Sequence, residues 1–208
     1  MSDFNSILRA VSSGLETPVV VILILLIILT VIILGTLIGE FFSERRKLKV
    51  SMPELVDSIR ESEQDICETV SSSGLLKRQK QLILEITRHS SLTAMQRESL
   101  AANLVTKEQA YYNRKVKITD LIARIGPMFG LLGTLIPLGP GIIALGQGDT
   151  VTLSKSLLTA FDTTVAGLIC AAVALVISVI RKRWYGEYMA DTETVIECIL
   201  EEEAGENA

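Results

Sequence analysis

Three threonines in the second and third of the chain's strongly apolar stretches have hydroxyl groups that can donate and accept hydrogen bonds. They are Thr134, Thr163 and Thr164. A hydroxyl group at membrane depth is costly unless it has a hydrogen-bond partner. Two interpretations stay open. Either each hydroxyl bonds to a carbonyl in the preceding turn of its own helix, or the hydroxyls line a shared interior and pass on water or protons.

Asp162 is interpreted as the only carboxylate at the edge of an apolar stretch. The charge-free run that follows it covers about 27 Å as a helix, slightly less than the ~30 Å hydrocarbon core of a bilayer. The carboxylate is therefore a candidate for proton handling just inside the outer boundary. A solvated aspartate near the outer mouth of a channel is the alternative.

Other reactive groups are scattered. Cys67, Cys170 and Cys198 form no C-x-x-C pair, and His89 is the only histidine. These spacings predict reduced thiols and no metal site. The sequence has no phosphate-binding loop, no dinucleotide glycine motif and no nucleophile elbow. We therefore expect no enzymatic activity, no cofactor and no nucleic-acid partner.

Three apolar stretches must position the threonines. Hydrophobic residues make up 49% of the chain, and each stretch reaches the roughly 20 residues that a helix needs to cross a bilayer. An all-α, polytopic membrane protein is predicted. The first stretch is too long for a signal peptide and no A-x-A-like site follows it. Because it is aliphatic on every side, it is expected to face lipid.

The second and third spans carry small residues at steps of three and four, which place them on one face of each helix and allow close packing between backbones. These residues are Gly126, Gly130, Gly133, Gly167 and Ala171. Pro137 and Pro140 follow late in the second span, and each removes a helix hydrogen bond. A kink or unwinding is expected there, in a place where protein or a water-filled cavity satisfies the freed carbonyls.

Basic residues predict the orientation. They cluster after the first span, before the second and after the third, whereas the amino-terminal leader and the link between spans two and three offer one each. By the positive-inside rule the amino terminus lies outside and the carboxyl terminus in the cytoplasm. The predicted segments are an extracytoplasmic leader (1–17), a first span (18–39), a cytoplasmic helical region (40–123), a second span (124–145), an extracytoplasmic link (146–158), a third span (159–180) and a cytoplasmic tail (181–208). The leader is either an interfacial amphipathic helix or a frayed terminus.

The cytoplasmic region is predicted to be helical. One helix begins near Glu54, a second runs through LLKRQKQLILEITRH, and Thr93 with Gln96 forms a capping box for a third that continues into the second span. In the tail, an apolar seam at heptad-like steps either joins several tails or docks on the chain's own cytoplasmic helices. The seam consists of Tyr185, Tyr188, Thr192, Val195 and Ile199.

Two segments carry a family resemblance. GPMFGLLGTLI resembles the second-helix motif of the MotA/TolQ/ExbB proton-channel family, and LLTAFDTTVAGL is similar to its third-helix motif. With three spans and a large cytoplasmic region after the first, the chain resembles the TolQ/ExbB branch over most of its length. The resemblance implies a ring of five subunits in the inner membrane, surrounding two helices of a small ExbD/TolR-type partner that supplies a transmembrane aspartate.

The resemblance also implies site residues. Thr134 and Thr164 correspond to the pore-facing motif threonines, with Thr163 beside them. The glutamate that TolQ and ExbB carry five residues before the third-helix threonine is replaced here by Thr159, and an acid occurs instead at Asp162. The implied function is a proton-conducting subunit of a motor driven by the proton-motive force that energises an envelope process. A sodium-driven version and a non-conducting scaffold that recruits cytoplasmic partners are the alternatives.

Overall fold

A computed structural model describes residues 14–42, 54–55, 57–58, 70, 72–88 and 93–206. Four helices account for nearly all of them: α1 (Glu16–Glu40), α2 (Lys77–Arg88), α3 (Ala94–Gly146) and α4 (Thr150–Glu206). No strand occurs within these ranges. Three helices, α1, α3 and α4, are long and apolar enough to cross a membrane. The expected all-helical fold with three candidate spans is confirmed. Residues 1–13 of the leader, His89, Cys67 and most of the helix expected after Glu54 lie outside the described residues.

The described residues divide into two compact units. The first comprises the described parts of Met1–Thr36 and Lys117–Val179, and the second those of Leu37–Val116 and Ile180–Ala208. In the first unit, α1 packs through Val19 and Leu23 against Ile136 of α3. Thr30 is buried and donates to Leu26 O at 2.7 Å. Most other α1 side chains are exposed aliphatic groups, which fits the expected lipid contact on most sides of this helix.

The helix α3 runs without interruption from Ala94 to Gly146, as the absence of early glycine or proline predicts. At its start, Thr93 N donates to Gln96 Oε1 at 3.2 Å, which is one half of the predicted capping box. The helix continues through Pro137 and Pro140. No unwound segment therefore interrupts the late part of the second span.

The connection between α3 and α4 is a short turn, because α3 ends at Gly146 and α4 begins at Thr150. Gly148 ends the turn after α3 with φ +78°, a conformation in which glycine lacks the steric penalty of a Cβ. Asp149 then caps α4, because its Oδ1 accepts hydrogen bonds from Val151 N and Thr152 N at 3.1 and 3.0 Å. These bonds, with one from the Thr152 hydroxyl as the largest cause, hold the pKa of Asp149 below its usual value. The predicted link 146–158 is thus helical from Thr150 onward.

The second unit has its own apolar core, in which α2 packs against the first part of α3 and the last part of α4. The buried residues of this cluster are Leu55, Val70, Leu75, Leu82, Ile83, Ile86, Ala101, Val195, Ile196 and Ile199. Gln79 is 2% exposed and donates to Tyr188 O and Thr192 Oγ1 at 2.9 and 3.0 Å. The tail seam therefore docks on helices of its own chain, which is the second of the two interpretations given above.

Glu40, the last residue of α1, holds a charged cluster in the same unit. Its carboxylate accepts from Lys115 Nζ at 2.9 Å, from Arg181 Nε at 3.3 Å and from the Tyr185 hydroxyl at 3.2 Å. Arg181 is only 4% exposed. A buried guanidinium group needs such a counter-charge, because an uncompensated buried charge is strongly destabilising. The cluster ties the end of α1 to α3 and α4.

Candidate functional site

The site is the antiparallel contact between α3 and α4 in the first unit. At one end a Cβ placed on Gly141 would lie 3.0 Å from Ser156 Cβ, and further along one on Gly133 would lie 2.6 Å from Thr163 Cβ. At the other end Asp120 of α3 accepts a hydrogen bond from Ser178 of α4. The contact thus extends over six turns of both helices.

Glycines set the separation of the two backbones. A Cβ on Gly167 would lie 2.6 Å from Gly126 O and 2.8 Å from Gly130 Cα, both backbone atoms. Ala171 also lies in this contact, because its Cβ is 3.2 Å from the Cβ position of Gly126. The structure brings together the small residues that the sequence analysis assigned to helix packing. Close approach of this kind is how membrane helices associate without large side chains.

Thr134, Thr163 and Thr164 lie at the same height along this contact, which is called the threonine level below. Gly133 meets Thr163, so the next residues along each helix, Thr134 and Thr164, lie within the same turn of the pair. Thr163 is buried, whereas Thr134 and Thr164 are half-buried. The geometry therefore places threonines of both helices at the same height along the contact.

Each of these hydroxyl groups donates to its own helix. Thr134 Oγ1 donates to Leu131 O at 2.6 Å, and Thr164 Oγ1 donates to Ala160 O at 2.9 Å. Thr163 Oγ1 donates to both Thr159 O and Ala160 O. This is the first of the two interpretations of the threonines. The hydroxyl oxygens retain the ability to accept a hydrogen bond from water.

Asp162 and Thr159 are separated from this group. Asp162 is exposed, and its position two residues before Thr164 turns it about 160° away around the helix. Thr159 lies one turn before Thr163, is half-buried and donates to Lys155 O at 3.1 Å. The structure therefore does not bring Asp162 together with the threonines. Pro137 is buried and Pro140 is exposed within the continuous helix.

A second polar pair was missed by sequence analysis. Asp120 lies one turn before Arg124, where the predicted second span begins, and its Oδ1 accepts from Ser178 Oγ. Ser178 is fully buried, as is Thr119 beside Asp120. The sequence analysis treated Asp162 alone as a carboxylate at a span edge and did not consider Asp120. The missed signal is an acidic residue among the basic residues that precede the span. It was passed over because the span boundary was placed at Arg124, the last charged residue before the apolar run.

No group of three or more histidine, cysteine or acidic side chains within the described residues is arranged to hold a metal ion. The described cysteines are far from such an arrangement, since Cys170 is buried in α4 and Cys198 is half-buried near its end. The chemistry that the described part of the chain offers is hydrogen bonding by hydroxyl groups and proton binding by carboxylates.

Comparison with known proteins agrees with this chemistry. A sequence profile of the MotA/TolQ/ExbB proton channel family matches residues 64–194, well over half of the chain. No curated protein matches the chain. The matched range contains the whole threonine level of α3 and α4, together with Asp120 and Ser178. The chain is a multi-pass membrane protein that belongs to the MotA/TolQ/ExbB proton channel family.

Proposed function

We propose that this chain is the proton-conducting subunit of a motor driven by the proton-motive force, in the inner membrane of the cell. Five copies form a ring around the transmembrane helices of a small ExbD/TolR-type partner, which carries a transmembrane aspartate. The protein has no enzymatic activity of its own. Rotation or displacement of the ring relative to the partner energises an envelope process.

The observation that carries this proposal is that threonines of two helices lie at one level of the α3–α4 contact. Thr134 and Thr164 sit within the same turn of the α3–α4 contact, next to the Gly133–Thr163 contact. Both are half-buried, so water that reaches their exposed side can donate to the hydroxyl oxygens. Large exposed aliphatic side chains such as Leu131, Leu135 and Val165 surround them. Such a polar spot in an apolar surface fits a path that another helix completes.

The proposed orientation of the chain in the membrane follows from the positions of the basic residues. Clusters of lysine and arginine flank the cytoplasmic side of all three spans. The amino terminus then lies outside, the α3–α4 turn at Gln147–Asp149 lies outside, and the second unit lies in the cytoplasm. Protons consequently enter near the α3–α4 turn and leave toward the region of Arg124.

The proposal is tested with the chain co-expressed with its candidate partner, purified in detergent and reconstituted into liposomes. The mass of the complex gives the subunit ratio, and a pH-sensitive dye inside the liposomes reports proton uptake under a membrane potential. A complex of five subunits and two partner chains that conducts protons is expected. Thr134→Val and Thr164→Val replace a hydroxyl with a methyl of nearly equal volume and should lower the flux at least about tenfold while the ring assembles.

The matched control is Thr30→Val. Thr30 is also a buried membrane threonine with a bond to its own helix, but it lies on α1. Its replacement should leave the flux unchanged. Normal flux in both Thr134→Val and Thr164→Val would remove these residues from the path. A ring that forms without retaining a partner and conducts nothing would favour the scaffold, and flux that follows sodium rather than pH would favour a sodium-driven motor.

A further inference from the structure

The Asp120–Ser178 pair is a second polar contact between α3 and α4, which the path through the threonines does not use. Asp120 is only half-buried, but the hydroxyl that it contacts is fully buried. Thr119, the neighbour of Asp120, is also fully buried.

The pair lies on the same side of the helices as the threonines. Asp120 precedes Thr134 by the same number of residues by which Ser178 follows Thr164. That spacing corresponds to roughly 21 Å along each axis and to a rotation of only about 40° around it. Because the helices are antiparallel, both displacements point toward the same end. In the proposed orientation this is the cytoplasmic end.

The geometry points to Asp120 as the group that takes protons from the threonine level and releases them into the cytoplasm, with Ser178 as its positioning residue. This inference rests on the proposed function. Hydroxyl groups pass protons on without holding one, because their protonated and deprotonated forms are both unfavourable near neutral pH. A carboxylate exists in charged and neutral forms at accessible pH. The Asp120 carboxylate can therefore bind a proton that arrives from the threonine level and release it later to the cytoplasm.

The step is balanced without any further reactant. A proton carried by water adds to a carboxylate oxygen of Asp120 and gives the neutral acid. The acid then loses the same proton to cytoplasmic water, and the carboxylate is restored. Ser178 keeps its own hydrogen throughout, since its role is to hold Oδ1 by donating to it. Water bridges the roughly 21 Å between the threonine level and Asp120.

The test uses the reconstituted complex with its partner and compares three substitutions by proton flux. Asp120→Asn keeps an oxygen that accepts from Ser178 but cannot take up a proton, so the flux should fall at least about tenfold. Asp120→Glu keeps the carboxylate and should recover most of the flux. Ser178→Ala removes the donor and should lower the flux by about two- to fivefold. Glu187→Gln is the control and should leave the flux unchanged, because Glu187 is an exposed carboxylate of the second unit that the proposed path does not use.

If the Asp120–Ser178 pair has only a structural role, the order of proton flux in Asp120→Asn and Asp120→Glu is reversed. If Asp120 only ties α3 to α4, Asp120→Asn retains the hydrogen bond and conducts normally, whereas Asp120→Glu is disruptive. Normal flux in Asp120→Asn, with loss in Thr134→Val, would overturn this inference and leave the proposed function standing. No flux in the unaltered complex would overturn the proposed function and this inference with it.

A second measurement covers the case in which Asp120→Asn does not assemble. The unaltered complex is treated with dicyclohexylcarbodiimide, which adds to protonated carboxyl groups, and the adducts are located by mass spectrometry. An adduct on Asp120 that rises in proportion to the loss of flux is expected. Modification of Asp120 without loss of flux would overturn the assignment.

Discussion

Replacing Gly167 with alanine should force α3 and α4 apart, whereas the same change at Gly130 should be tolerated. A Cβ on Gly167 would lie 2.8 Å from Gly130 Cα and 2.6 Å from Gly126 O, both of which are backbone atoms. A Cβ on Gly130 would find its nearest neighbours at 3.5 Å. Carbon atoms attract best at about 3.5–4.0 Å. The backbones must therefore separate by about 0.7 Å in the first variant and not at all in the second.

The magnitude follows from two opposing contributions to the free energy of unfolding. Overpacking of a tight contact costs about 1–3 kcal/mol, and replacing glycine by alanine within a helix stabilises it by about 0.5–1 kcal/mol. Gly167→Ala should therefore destabilise the protein by about 1–2 kcal/mol. Gly130→Ala should be neutral or stabilise it by up to about 1 kcal/mol. The difference between the variants, about 1–3 kcal/mol, contains no helix-propensity contribution because the two exchanges are the same.

The assay is thermal or detergent-induced unfolding of the purified protein, followed by circular dichroism. For a chain of this size, 1 kcal/mol corresponds to a shift of roughly 2–4 °C in the midpoint. Gly167→Ala should unfold at the lower temperature by several degrees. Equal midpoints for the two variants would refute the close backbone contact, and so would a lower midpoint for Gly130→Ala.

The two other predictions concern the second unit and use the fluorescence of Trp184, the only tryptophan in the chain. Gln79→Met leaves the buried Leu76 N without the acceptor that it now has at 2.9 Å, and should destabilise the unit by about 1–3 kcal/mol. The exposed Gln81→Met is its control and should change stability by less than about 0.5 kcal/mol; an equal loss in both would contradict the role of the buried amide. Glu40→Gln removes the charge that faces Lys115 and Arg181 and should cost about 1–3 kcal/mol, reduced from a fully buried pair because Lys115 is partly exposed. Glu187→Gln, which removes the charge of an exposed ion pair, should have almost no effect. Equal losses of stability in Glu40→Gln and Glu187→Gln would show that the Glu40 cluster behaves like an ordinary surface ion pair.

The sequence predicts the helices of this protein well because their signals are local. Apolar runs of sufficient length predict the three spans, and the absence of glycine and proline between Thr93 and Gly126 predicts that α3 is continuous. The predicted third span begins at residue 159, whereas the helix α4 that contains it begins at Thr150, within the polar segment predicted as a link. Asp149 followed by Thr152 is a helix-start signal of the ordinary kind.

The partners of each residue could not be predicted in the same way. Spacing places Gly126 and Gly130 on one face of a helix, but it does not say that Gly167 lies between them. The contact of Asp120 with Ser178 depends on the same register, since a shift of one turn would separate them by about 5 Å. Register is set by how the two small-residue faces fit together, which is a property of the pair rather than of either segment. The same holds for the tail, whose seam is compatible with docking on any apolar surface.

The contact between Gly126 and Gly167 has a further bearing on where protons can travel. At that level the two backbones are so close that a Cβ on either glycine would lie less than 3 Å from a backbone oxygen of the other helix, which leaves no room for a side chain between α3 and α4. A path from Thr134 to Asp120 must therefore follow the outer side of the helix pair, where the described chain exposes Leu131, Met128 and other apolar groups. Water is stable beside such groups only if another protein surface closes the path and supplies polar partners. One subunit thus holds one wall of the proposed path, and conduction requires a neighbouring subunit or partner helix to form the other.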